Sequence, residues 1–148
     1  MSTEAITPNE AVALVNALND ACNADDVDRA LAFFADDAVV KTLPPPPSGQ
    51  AVWTGTEQVR AFLQWQADEH FQVASRNIQV TGNTITWDST GAMDSFRRMG
   101  LESIEVAVEA VVQAGKITAF TGTLSPETQR KVEAAMMQAG APQPEAAA

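Results

Sequence analysis

With 148 residues, 45% hydrophobic and 19% charged, and a formal net charge of −10, the chain is the size of one domain and apolar enough for a real core. That balance excludes global disorder, and the acidity excludes nucleic acid and anionic membrane surfaces as partners, since both need clustered Lys and Arg. A single cysteine, Cys22, and a single histidine, His70, exclude an internal disulfide and a cysteine-rich zinc site, so neither a metal nor another cofactor is expected.

The opening MSTEAITPNEA has neither the basic stretch nor the apolar core of a secretory leader, and no apolar run approaches a membrane span. A soluble cytoplasmic protein is expected. TPNE begins the first helix, with Thr7 as N-cap, Pro8 at the first helical position and Glu10 closing a capping box. Val12, Val15, Leu18 and Cys22, with Leu14 beside them, follow at helical spacing. Asp25 or Asp26 caps a short second helix whose stripe is Val27, Ala30, Leu31 and Phe34. Asp36 and Asp37 end it, and AVVKTL reads as a strand.

PPPPSGQ is an extended loop, with Pro44–Pro47 as a rigid rim. TGTEQVRAFLQWQADEHF is a third helix, with Thr54 and Glu57 as a capping box and Val59, Phe62, Leu63, Ala67, His70 and Phe71 on its apolar face. From Ser75 the period becomes two, and RNIQVTGNTITWDS reads as strand, turn and strand. TGAMDSFRRMGLES reads as a loop anchored by Phe96 and Met99. IEVAVEAVV, a turn at QAGK and ITAFTGTL make a hairpin. SPETQRKVEAAMMQAG is a last helix, capped by Ser125, with Pro126 at its first position and Gly140 as its stop. Residues 1–140 thus form one domain, and 141–148 a disordered tail. Helices segregated from a run of antiparallel strands define an α+β fold.

The segments NADDVDRALAFFADDAVV, WTGTEQVRAFL and VEAVVQAGKITAF, in this order, resemble the NTF2-like superfamily and within it the SnoaL-like and ketosteroid-isomerase-like proteins. The likeness spans residues 9–124. It implies a cystatin-like, cone-shaped barrel: N-terminal helices packed on a curved antiparallel sheet, here with an extra C-terminal helix. It further implies an apolar pocket inside the cone and a homodimer through the outer sheet face. Ketosteroid isomerases carry a general-base Asp where this chain has Thr42, and a Tyr near the position of Leu18, whereas this chain has no tyrosine. Their second acid matches Glu109 in kind, as does the acid/base carboxylate of SnoaL-like cyclases. Limonene-epoxide-hydrolase-like proteins place one aspartate near Asp88. Their other falls near Gly122 and is missing, and Arg97 and Arg98 lie in a loop rather than the expected strand.

Alternation places Ile104, Val106, Val108, Ala110 and Val112 on one face and Glu105, Ala107, Glu109, Val111 and Gln113 on the other. The plain reading makes the aliphatic face core and leaves both glutamates in water. A dimer covering an apolar outer face would reverse that. With a two-residue loop at Ala114–Gly115, Glu109 would pair with Phe120 and sit in a wall with Leu124, Val111 and Ala107; with a G1 bulge it would lie opposite Ala119. With the family position added, Glu109 is expected to face the pocket.

There a dry carboxylate would favour its protonated form and move protons near neutral pH. Glu109 is the candidate general acid/base, and Asp88 its candidate partner. Trp53, Trp87, Phe34, Phe62 and Phe120 are candidates for the apolar lining, with His70 to polarise a carbonyl. The sequence thus suggests a cofactor-independent isomerase, cyclase or lyase acting on a hydrophobic cyclic molecule of polyketide, terpenoid or steroid type. The alternatives are a non-catalytic hydrophobic-ligand binder and a limonene-epoxide-hydrolase-like hydrolase.

Overall fold

The computed structural model describes residues 6–43 and 51–138. Pro44–Pro47 and 141–148, and with them the proline rim, the Gly140 stop and the disordered tail, lie outside the described residues. In chain order the elements are α1 Pro8–Asn23, α2 Val27–Leu31, β1 Phe34–Leu43, β2 Val52–Thr54, α3 Gly55–Asp68, β3 Gln72–Thr81, β4 Thr84–Ala92, α4 Asp94–Arg98, β5 Ile104–Gln113, β6 Lys116–Leu124 and α5 Pro126–Gln138. The strands form one six-stranded sheet in the order β2-β1-β6-β5-β4-β3. Only the β1–β6 pair is parallel; the other neighbours run antiparallel.

The capping box forms as the sequence predicts: Thr7 N–H donates to Glu10 Oε1 and Glu10 N–H to Thr7 Oγ1. The buried stripe of α1 is Ala11, Val15, Leu18 and Ala21, one residue round from the expected one, with Val12 exposed. Small alanines on that face let the helix lie close against β3. Ala30 of α2 and Val59, Phe62 and Leu63 of α3 complete the helical half of the core. Ile85, Trp87, Val108, Ala110, Val112, Ile117 and Val40 supply the sheet half.

Three boundaries differ from the sequence reading. β1 starts at Phe34 and includes Asp36 and Asp37, both exposed on an irregular stretch where the pairing with β6 shifts register. The stretch 90–103 is no simple loop: it finishes β4, forms α4 and returns into β5. α3 stops at Asp68, so His70 leaves the apolar face on which it was expected. It is exposed, with φ 55°, where a left-handed turn closes the helix.

Two further irregularities shape the sheet. On β3, Asn77 has φ 59° and interrupts the pairing with β4 between Arg76 and Gln79. On β6, the ladder to β5 shifts between Val111 and Val112. Ile117 faces Val112 and Ala119 faces Val111, leaving Thr118 as the extra residue, its hydroxyl donating to the Val111 carbonyl.

Candidate functional site

The β5–β6 turn is the two-residue one, with Ala114 at φ 51° and Gly115 at φ 78°, the signs that a type I′ hairpin requires. The ladder therefore starts with Gln113 opposite Lys116, and the Thr118 bulge then slips it by one. Glu109 meets Thr121 and not Phe120, and Phe120 meets Ala110. A one-residue slip exchanges the two faces of a strand, so Phe120 turns into the core and Thr121 and Thr123 turn out with Glu109. The aliphatic stripe Ile104, Val108, Ala110 and Val112 is buried against the helices, and Glu109 is exposed. The expected inward orientation of Glu109 is thus corrected: alternation with a buried aliphatic face decides it.

The apolar candidates gather on the other side of the sheet. Phe34 and Phe120 lie 6.0 Å apart between ring centroids, Trp87 meets Phe120 edge-on at 6.0 Å, and Trp53 packs on Phe62 at 4.7 Å. These rings pack in two groups, Phe34–Phe120–Trp87 and Trp53–Phe62, among the residues of the core that the helices cover. A small hollow of about 10 Å³ lies between α1, α2 and α3 beside Cys22 and Leu63. Burial, with a smaller push from Asp25, raises the Cys22 thiol to about 11, which suppresses its nucleophilic form. Thr42, where the resemblance to ketosteroid isomerases would put a general base, holds a buried hydroxyl with no hydrogen-bond partner among the described residues.

Glu109 and Asp88 do come together, on the outer face. They line a trough of about 360 Å³ with Asn77, Gln79, Thr86, Ala107, Thr121 and Thr123. Thr86 faces Glu109 across β4–β5, Asp88 faces Ala107, and Ala107 faces Thr123. The short side chain of Ala107 leaves the floor open between the two carboxylates. Asn77 Nδ2 donates to Asp88 Oδ2 at 2.9 Å, so the left-handed bulge aims an amide into the trough and fixes one carboxylate oxygen. Beyond it, Arg76 bridges Thr90 and Glu105, its guanidinium 2.7 Å from Thr90 Oγ1 and 2.5 Å from Glu105 Oε1. The threonines and amides of this trough went unnoticed in the sequence; the signal was there in TGT of β6, two hydroxyls at period two opposite Glu109 and Ala107. His70 stands apart from both groups, paired with Asp94 on the surface. Among the described residues no group of three or more His, Cys, Asp or Glu side chains is placed to hold a metal ion.

The sequence profile of the SnoaL-like domain matches residues 15–139. The chain belongs to the SnoaL-like family. Solved structures share its fold. A Bacillus subtilis protein provisionally named an isomerase aligns with TM-score 0.70 at 10% identity, over 88% of this chain and 97% of that one. A Mycobacterium tuberculosis epoxide hydrolase of the limonene-epoxide-hydrolase-like type aligns with TM-score 0.66 at 18% identity, over 90% and 97%. A Kribbella flavida protein provisionally named a ketosteroid isomerase aligns with TM-score 0.61 at 16% identity, over 84% and 82%. A comparison with curated proteins gives no match. At these identities the likeness to solved structures establishes the SnoaL-like α+β fold alone. No helix among the described residues is long and apolar enough to cross a membrane.

Proposed function

We propose that this SnoaL-like domain binds a small organic molecule in the outer-face trough, with Glu109 and Asp88 accepting hydrogen bonds from the ligand. The observation that carries this reading is their shared position on an open, hydroxyl- and amide-lined hollow of about 360 Å³. Carboxylates in contact with water stay hydrated and act as acceptors, whereas proton transfer near neutral pH draws on a carboxylate held in dry surroundings. Three threonine hydroxyls and two amides suit a ligand with several hydroxyl or amine groups.

The test is an amide-resolved NMR titration with fragment sets of polyols, amines and hydrophobic ring ketones. Perturbation by the polar fragments at Thr86, Ala107, Thr121 and Thr123, weakened in Glu109→Gln, is the expected result. Perturbation confined to the Trp53 indole and the backbone amide of Phe62, which pack together away from the trough, would overturn it.

That outcome would favour a second reading, supported by family membership and by the names of the isomerase and epoxide hydrolase neighbours: an acid/base isomerase, cyclase, lyase or epoxide hydrolase acting on a hydrophobic cyclic substrate. On it the ligand enters among Phe34, Trp53, Phe62, Trp87 and Phe120, and turnover is the deciding assay. A second copy of the chain would compete for the same outer face. Lys41 and Glu109 flank Thr121 on neighbouring strands, so a two-fold axis along β6 would set each lysine over the other copy's glutamate. Sedimentation velocity with and without added salt distinguishes that homodimer from a free trough.

A further inference from the structure

α3 ends in a Schellman turn: Phe71 N–H bonds the Gln66 carbonyl and His70 N–H the Ala67 carbonyl. The turn needs a left-handed residue, a place glycine fills without strain, and here His70 occupies it at φ 55°. A backbone outlier that a smaller residue would relieve points to a use for the side chain. The ring supplies one, since His70 Nδ1 lies 2.6 Å from Asp94 Oδ2 at the start of α4.

The rest of that contact is built from the neighbouring residue. Asp94 N–H donates to the Glu69 carbonyl at 2.9 Å, and Ser95 N–H to Glu69 Oε1 at 2.7 Å, so α4 takes its N-terminal cap from the end of α3. Asp94 also accepts from Arg97 at 2.7 Å, and Arg98 lies 3.9 Å from Glu69. Met93, buried, precedes the contact, and the Phe71 ring lies where a Cβ on Gly91 would meet it at 2.8 Å. Two consecutive residues just past the end of α3 therefore hold the start of α4.

We infer that His70 and Asp94 form a protonation-controlled clasp that fastens α4 to the end of α3 and loosens the 94–101 segment as the ring loses its proton. The charged groups facing the ring are Asp94 and Arg97 from α4 and Asp25 from the α1–α2 turn, with Glu69 beside it and Arg98 behind Glu69. The hydrogen bond to Asp94, then its charge, raises His70 above its ordinary value, and Arg97 works against this. The same bond lowers Asp94. A histidine raised in the folded state contributes its full stabilisation below its unfolded value, about 6.5, and loses it as pH rises through the higher folded value. The clasp is closed in mild acid and loosens on the alkaline side. The neutral ring still reaches Asp94, so release is partial.

Amide hydrogen exchange of the full chain, corrected for the intrinsic pH dependence of the chemistry, tests the clasp. Between about pH 5.5 and about pH 8, opening of residues 94–101 should increase roughly two- to fivefold in the wild type, while residues 106–112 of β5 stay unchanged. Asp94→Asn keeps an acceptor without the charge and should abolish the pH dependence. His70→Gly fits the left-handed turn and should hold the opening of 94–101 at or above the wild type's alkaline level at both pH values, because the Glu69 bonds remain. An unchanged pH response in either variant, or none in the wild type, overturns the inference.

Discussion

Glu109 stands directly opposite Thr121 across the β5–β6 ladder, on the water-facing side of the sheet, with β6 between it and Lys41 of β1. Its carboxylate therefore belongs to a polar row and has no packing to lose. Glu109→Gln and Glu109→Ala should change folding stability by no more than about 0.5 kcal/mol in urea denaturation. A loss of several kcal/mol would place the side chain inside.

The inner aromatics behave in the opposite way. Trp87 is buried and meets Phe120 edge-on at 6.0 Å. Trp87→Ala should cost roughly 3–5 kcal/mol, with Trp87→Phe losing less. Urea midpoints with a constant slope would verify it. A near-neutral Trp87→Ala would mean that the interior tolerates an empty space of indole size.

Asn23 at the end of α1 holds both backbone groups of one β3 residue, donating from Nδ2 to the Val73 carbonyl at 2.9 Å and accepting from Val73 N–H at Oδ1 at 2.7 Å. Asn23→Ala should destabilise by roughly 1–2 kcal/mol, and Asn23→Asp should also weaken the contact, since it retains only the acceptor. Exchange at Val73 N–H is the local readout.

Glu105 gives a pH signature on the outer face. The Arg76 guanidinium, followed by the Thr90 hydroxyl, holds its carboxyl below the ordinary value of about 4.5. A carboxylate depressed in the folded state adds stability above its unfolded value and loses it as pH falls through the folded one. Acid titration of wild type against Glu105→Gln should show a shallower decline in the variant below about pH 4.5. Parallel curves would mean the Arg76 contact is fully screened.

Local chemistry was legible in the sequence at α1 but not at α3, where the expected Thr54–Glu57 box does not form and Thr54 N–H bonds Gln58 Oε1 instead. Thr7, Pro8 and Glu10 announce α1 because a capping box is written in three residues, and the Ala114–Gly115 turn and the period-two strands needed only their neighbours. The orientation of Glu109 hung on two long-range facts. One is which face of β5 the helices cover, which depends on α1 and α3 folding back onto the sheet. The other is the single extra residue at Thr118, which carries no glycine or proline to betray it. His70 was misplaced for a related reason: the apolar spacing of α3 continues past Asp68, but the chain turns left-handed there to reach α4. The trough is the sum of these features, so its residues could be named singly but not assembled.

β3 is a ten-residue strand that, among the described residues, has a strand partner on one side only, the geometry on which another chain's strand could grow. Its length is broken up. Asn23 occupies the backbone of Val73 near one end, Ile6 N–H bonds the Gly82 carbonyl just past the other, and Asn77 bulges the middle. No stretch of that margin offers an incoming strand an uninterrupted run of partners. The same asparagine that lends its amide to Asp88 also interrupts the strand's regular ladder, the kind of break that makes an edge a poorer template for another strand.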